Sequence, residues 1–200
     1  FNKRNGVRFV YTRINADDMK LKKALQETGF YFVETSLVLQ SKGLPGGGGM
    51  PLALRQPKKC EFGQIREIAG NAFDYGRFHE DFNIPRKKAD ERYMRWIAGL
   101  EKQGRRFLVH AAHGRVQAFA ACLLSGKIAD IVLIAARRAS HRRRNFLKAV
   151  VEHLSGLGVK QVKAVVSAAN VPAINIYFRS NFAVKSTLMG FHKMYGKKAD

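Results

Sequence analysis

The sequence predicts an α/β chain built on a mixed, mostly antiparallel sheet flanked by helices. Apolar runs of strand length recur along it, and stretches of helical periodicity separate several of them. Neither an internal repeat nor an apolar run of membrane-spanning length breaks that order. A core of ordinary size is available, since 46% of the 200 residues are hydrophobic and 10% aromatic.

Residues 7–14 alternate apolar and polar and read as a strand. ADDMKLKKALQETG, 16–29, reads as a helix opened by acids and closed by Gly29. FYFVETSLVLQ, 30–40, returns as a strand. Residues 1–40 thus form a small N-terminal strand–helix–strand subdomain, too small to be stable alone. Residues 41–57 contain GLPGGGG, the one low-complexity stretch, and read as a flexible linker or surface loop. Residues 58–200 form the main domain.

That domain opens with a helix near 61–72 and the loop DYGRFHEDFNIPR. A helix over 88–102 places Tyr93, Trp96, Ile97 and Leu100 on one apolar face. Strands at 106–112 and 116–125, joined by a His-Gly turn, predict a hairpin. IADIVLIAA, 128–136, is nearly all apolar, as a strand inside a sheet should be. Five arginines then fall within eight residues, 137–144. A helix at 144–157, a strand at 159–167, a helix opening at Asn170 and a closing pair of strands over 182–195 complete the order.

Lys and Arg number 36 against 15 Asp and Glu, a net charge of +21. Such a field attracts polyanions, and nucleic acid, anionic lipid and small phosphorylated ligands all satisfy it. Cys60 and Cys122 lie far apart, which argues against a disulfide framework or structural zinc and for a reducing, cytoplasmic setting. Phe1 begins inside a strand approach, with no signal-peptide pattern. His110 and His113 sit at a hairpin turn without a third ligand at metal spacing, so no metal is expected.

Two junctions carry the chemistry. In the first, LIAARRASHRRRNFLKAV (133–150), a strand runs through arginines into a helix. Backbone N–H groups and the dipole at such a helix start attract anions, and arginines add bidentate phosphate donors; a solvated basic loop is the plainer alternative. In the second, SAANVPAINIYFRSNF (167–182), Asn170 suits an N-cap and Pro172 the first turn. Tyr177, two turns on from Asn170, lies on the same side of that helix, where a core tyrosine is the plainer alternative.

In this order the two junctions resemble the GNAT (GCN5-related N-acetyltransferase) family. Its basic, glycine-rich turn is matched by His141-Arg142-Arg143-Arg144-Asn145-Phe146-Leu147, and its Asn-x-x-Ala-x-x-x-Tyr helix by Asn170, Ala173 and Tyr177. Asn181-Phe182 stands where that family has Gly-Phe. Upstream, TGFYFVETSLVL, AFDYGRFHED and DERYMRWI are similar to the TDP-fucosamine acetyltransferase group, which acetylates a sugar-nucleotide amine. The turn departs from the family pattern: Arg143, Asn145 and Leu147 replace three glycines that let backbone approach phosphate. Either side-chain charge substitutes for that approach, or coenzyme A binding is weakened.

The resemblance implies an acetyl-CoA-dependent N-acetyltransferase working by direct transfer in a ternary complex, without metal. It assigns the diphosphate to Arg142, Arg143, Arg144 and Asn145, and the cofactor arm to Asn170 and the main chain of Val132, Leu133, Ile134 and Ala135. Tyr177 would donate a proton to the leaving sulfur. Glu34 and Asp130 compete as the base, with the upstream match favouring Glu34. Arg77, Phe78, His79 and Asp81 suit a nucleotide diphosphate and its base or sugar, or form a solvated loop. The expected partners are acetyl-CoA and an anionic, amine-bearing small molecule, with a homodimer left open. The rivals are a non-catalytic basic protein holding coenzyme A or nucleic acid on a degenerate scaffold, and a protein or polyamine acetyltransferase. Aromatics are not interleaved with the arginines as single-strand binding prefers.

Overall fold

The computed structural model describes residues 6–43, 52–137 and 143–195, without the side chains of Arg143 and Arg144. Most of the glycine-rich stretch, and Arg142 among the expected cofactor residues, lie outside the described residues. Seven strands form one sheet in the order β1-β7-β2-β6-β5-β4-β3. The strands are β1 (Phe9–Asn15), β2 (Tyr31–Ser41), β3 (Arg106–Ala112), β4 (Arg115–Ser125), β5 (Ile128–Ala136), β6 (Gln161–Ser167) and β7 (Phe182–Met194). The helices are α1 (Met19–Glu27), α2 (Phe62–Ala72), α3 (Arg86–Lys102), α4 (Arg143–Gly156) and α5 (Val171–Phe178).

Local chemistry sets the boundaries. Asp18 caps α1, its side chain accepting from Leu21 N at 2.9 Å, so the helix starts three residues later than its acidic run suggests. The hairpin of β3 and β4 turns at His113 and Gly114, with φ of +51° and +72°, the primed turn that suits strand twist. Arg55 forms an isolated antiparallel bridge to Val109 and an ion pair with Glu61 at 2.6 Å. The far end of the expected linker is therefore fastened to β3 rather than loose.

The N-terminal unit joins the same sheet: β2 lies between β7 and β6. The closing pair of strands expected over 182–195 is one strand of 13 residues, β7, paired with β1 on one side and β2 on the other. Gly190 in its middle is a point of close approach and not a turn, because a Cβ there would lie 2.8 Å from Glu34 Cγ.

Apolar side chains separate into two clusters. One joins α4 and α5 to the sheet through Phe146, Leu147, Val150, Leu154, Ile174 and Tyr177. The other joins α2 and α3 through Ile65, Ile68, Tyr93, Ile97 and Leu100. On β4, Ala118 and Ala120 belong to the first and Phe119 and Ala121 to the second, so the clusters occupy opposite faces.

One departure from regularity opens a cavity in the sheet. β5 and β6 run parallel and pair only from Ile128–Gln161 to Ile131–Ala164. Beyond that, β5 pairs with β4 alone and β6 with β2 alone. The register of β5 against β4 slips between Ala121 and Cys122, leaving Val132 as the extra residue of a bulge where the strands part.

Leu154 is wholly buried under α4, whereas Leu157, just past its end, is 47% exposed. Leu154→Ala should lower unfolding free energy by about 2–5 kcal/mol, and Leu157→Ala by no more than about 0.5 kcal/mol. Urea denaturation checks both.

Candidate active site

Where β5 and β6 part, a cavity of about 340 Å³ opens, within the range of small-molecule sites. Its walls are Ile134, Ala135 and Ala136 of β5, Phe146 and Leu147 of α4, and Asn170, Ala173, Ile176 and Tyr177 at and along α5. Phe73, Asp74 and Tyr75, in the loop after α2, close another side.

Tyr177 stands on that wall, held by α5. Burial, with a smaller contribution from Cys122 nearby, pushes its phenol well above the usual tyrosine range. The Cys122 thiol is pushed up to about 12, again by burial. Both stay protonated at neutral pH. The Tyr177 ring stands edge-on to Phe182 at 5.0 Å, which fixes its aim. Asn170 caps α5, its side chain accepting from Ala173 N at 3.2 Å, and Pro172 lies in the first turn.

The residues expected at the cofactor divide. Ile134, Ala135, Asn170 and Tyr177 line the cavity together. Leu133 turns away into the α2–α3 cluster, because the bulge at Val132 shifts the alternation. Arg143 and Arg144 open α4, and Asn145 is exposed on its first turn. Leu147, where the family carries glycine, is 2% exposed and packs under α4 as part of the cavity wall. Arg137, first of the arginine run, is bound elsewhere: it pairs with Glu67 at 2.9 Å and donates to Val116 O at 2.9 Å.

The residues expected at the acceptor lie on β2 and in the loop after α2, with Asp130 apart on β5. Glu34 is buried on β2 and accepts from Arg13 Nε at 2.8 Å and Nη2 at 2.5 Å. Its other oxygen, Oε2, is buried without a hydrogen-bond partner. Asp130 stands on β5 in register with Lys163, four residues before the cavity wall begins at Ile134. Arg77 rests against the Tyr11 ring at 4.4 Å, and Phe78 is buried beside it. His79 and Asp81 have internal partners. His79 Nε2 meets Asp90 at 2.8 Å. Asp81 accepts from Tyr31 OH at 2.9 Å and from Asn83 N at 2.8 Å, and pairs with His192 Nδ1 at 2.7 Å. The Tyr31 phenol is pushed up to about 12, by burial first and then by Asp81.

Sequence reasoning missed Arg13, Arg92 and Glu80. Glu80 Oε1 accepts from Gly76 N at 2.7 Å and from Ser167 Oγ at 2.5 Å, tying the loop to the end of β6. Those partners are 87 residues apart, so no local pattern signals the bond. Among the described residues no group of three or more His, Cys, Asp or Glu is placed to hold a metal, and no helix is long and apolar enough to cross a membrane.

No family model and no curated protein matches the chain. Solved structures do match it. The GCN5-related N-acetyltransferase from Sphaerobacter thermophilus superposes with a TM-score of 0.66 at 17% identity, over 96% of this chain and 64% of that one. The chain thus spans less than two thirds of that protein's length. The GCN5-related N-acetyltransferase from Kribbella flavida gives 0.63 at 14% identity, over 96% and 71% of the two chains. A putative GNAT-family acetyltransferase from Novosphingobium aromaticivorans gives 0.61 at 12%, over 94% and 75%. The fold is that of the GNAT acetyltransferases.

Burial lowers the pKa of His192, outweighing the opposite pull of Asp81. The unfolded chain then binds a proton that the folded chain resists, so this histidine's contribution is full above about pH 6.5 and falls away below it. Urea melts between pH 8 and pH 5 should show stability falling at the acid end, with a shallower slope in His192→Asn.

Proposed function

We propose that the chain transfers an acetyl group from acetyl-CoA to a primary amine, by direct attack within a ternary complex. One observation carries this reading: the parting of β5 from β6 makes a cavity whose wall holds a buried, protonated tyrosine. The residues present fit the co-substrate. From Val132 to Ala136 the backbone groups of β5 that face β6 have no strand partner, and they suit the amides of a pantetheine arm. Leu147 packs under α4 as one wall of the crevice, and a cavity large enough for a ligand remains.

Acetyl-CoA supplies the activated acyl group; the chain supplies position and protons. Tyr177 delivers its proton to the departing sulfur. Glu34, with Oε2 unbonded, is the carboxylate assigned to receive the amine's proton; Asp130, set back along β5, is the weaker candidate. Arg142, Arg143, Arg144 and Asn145 are assigned to the diphosphate at the start of α4, where charge replaces the missing glycines. Arg77 and Phe78 are assigned to the acceptor, for which a nucleotide-linked amino sugar in the cytoplasm is the proposed identity. The internal partners of His79 and Asp81 give them the task of shaping the loop around it.

Tyr177→Phe should lower turnover by about 10²–10⁴-fold while acetyl-CoA affinity by calorimetry changes little; unaltered turnover removes Tyr177 from its role. Arg142→Ala combined with Arg144→Ala should weaken acetyl-CoA binding, most visibly at low ionic strength, where the lost charge is least screened. Thermal stabilisation by oligonucleotide and not by coenzyme A would replace the enzyme reading with a binding one.

A further inference from the structure

Arginines from three separate elements gather in one cluster with Glu34. Arg13 comes from β1, Arg77 from the loop after α2 and Arg92 from α3. Arg13 is satisfied by its ion pair with Glu34. Arg77 and Arg92 have no hydrogen-bonding or ion-pair partner among the described residues, and both lie against aromatic rings. Arg77 Cζ is 4.4 Å from the Tyr11 ring centre and 5.2 Å from that of Phe78. Arg92 Cζ is 3.8 Å from the Phe78 ring and 5.4 Å from Trp96. Burial, then repulsion from Arg13 and Arg92, lowers the pKa of Arg77. Three guanidinium groups thus share one cluster with the Glu34 carboxylate, which only Arg13 contacts.

A half-buried guanidinium without an acid is an uncompensated charge. Ring contacts attract it but leave its charge in place. A guanidinium resting against a ring can still offer its N–H edge for two parallel hydrogen bonds to a carboxylate or phosphate. A second observation lies within the same cluster. Glu34 Oε2 is buried with no hydrogen-bond partner, and the chain keeps glycine at 190 to let that side chain lie there. An acceptor oxygen in that position calls for an N–H or O–H. Cation edges and a lone acceptor together describe a molecule with an anionic group and a polar hydrogen.

We propose that Arg77 and Arg92 seat the anionic group, carboxylate or phosphate, of a small amine whose N–H is received by Glu34 Oε2. The word amine rests on the acetyl-transfer reading; the anion seat does not. Tyr11, against whose ring Arg77 rests, is 43% exposed, so the cluster reaches the surface there.

Trp96 is the chain's one tryptophan and lies beside Arg92, so its emission reports on the site. Titration with inorganic pyrophosphate, and separately with glutarate, should give a saturable change for one of them and so name the anion. Arg77→Gln should weaken that binding about tenfold or more. A fold kept intact by ligand-independent packing is checked by its melting temperature, expected within about 3 °C of the parent. Arg92→Gln, followed by calorimetry, provides the second variant and should weaken the same anion. No response to either anion, or an unchanged titration in both variants, overturns the seat. Acetyl-CoA calorimetry separates the two readings: absent cofactor binding with an intact anion response removes acetyl transfer and leaves the seat standing.

Discussion

Two parallel strands held together for only four residue pairs shape the rest of this molecule. β5 and β6 begin in register, and the bulge at Val132 then turns β5 outward. The crossover between them runs through α4, whose buried face keeps both strand starts covered while their ends diverge. Past the bulge, backbone polar groups face a gap and not a ladder. Such groups demand partners, so the gap suits an extended molecule with amide groups of its own. Straightening Val132 into the ladder would satisfy the strands and abolish the cavity.

The loop after α2 couples that cavity to the cluster around Glu34. Phe73, Asp74 and Tyr75 stand in the cavity wall, and Gly76, with φ of +115°, turns the chain where a Cβ would lie 2.9 Å from the Tyr93 hydroxyl. Glu80 then fastens the loop to Ser167 at the end of β6, three residues before the cap of α5. Asp81 and its partners His192 and Tyr31 hold the next turn against β7 and β2. Glu80 and Asp81 therefore act as anchors, and the side chains between Gly76 and Glu80 are carried to fixed places on the sheet.

How much of this was legible in sequence depended on distance along the chain. The bounds of β5 could be read directly, because a nearly all-apolar run is closed by a glycine turn on one side and charge on the other. The start of α5 was legible for a similar reason: Asn170 and Pro172 perform their tasks within one turn. β7 was misread because a glycine inside an apolar run signals a break, and nothing local shows that Gly190 makes room for a glutamate on another strand. The bulge that sends the Leu133 side chain into the α2–α3 cluster was equally silent in the sequence. Arg13 and Arg92 were invisible, since they meet Glu34 and Arg77 only through the sheet order and the fold of α3 over it.

The charge excess gains meaning once its partners are known. With 15 acids for 36 basic residues, most cations cannot be paired. Several of the available acids go to arginines that fasten elements together: Arg55 to Glu61, Arg66 to Glu101, Arg86 to Asp74, Arg137 to Glu67. An unpaired lysine on an exposed face is hydrated and costs little. Arg77 and Arg92 lack that relief, because rings cover one side of each and two other guanidinium groups repel Arg77. A fold under pressure for stability alone would place an acid there or remove the charge. Retaining two cations beside one buried, half-bonded carboxylate is the arrangement expected when the missing counter-charge arrives with the substrate.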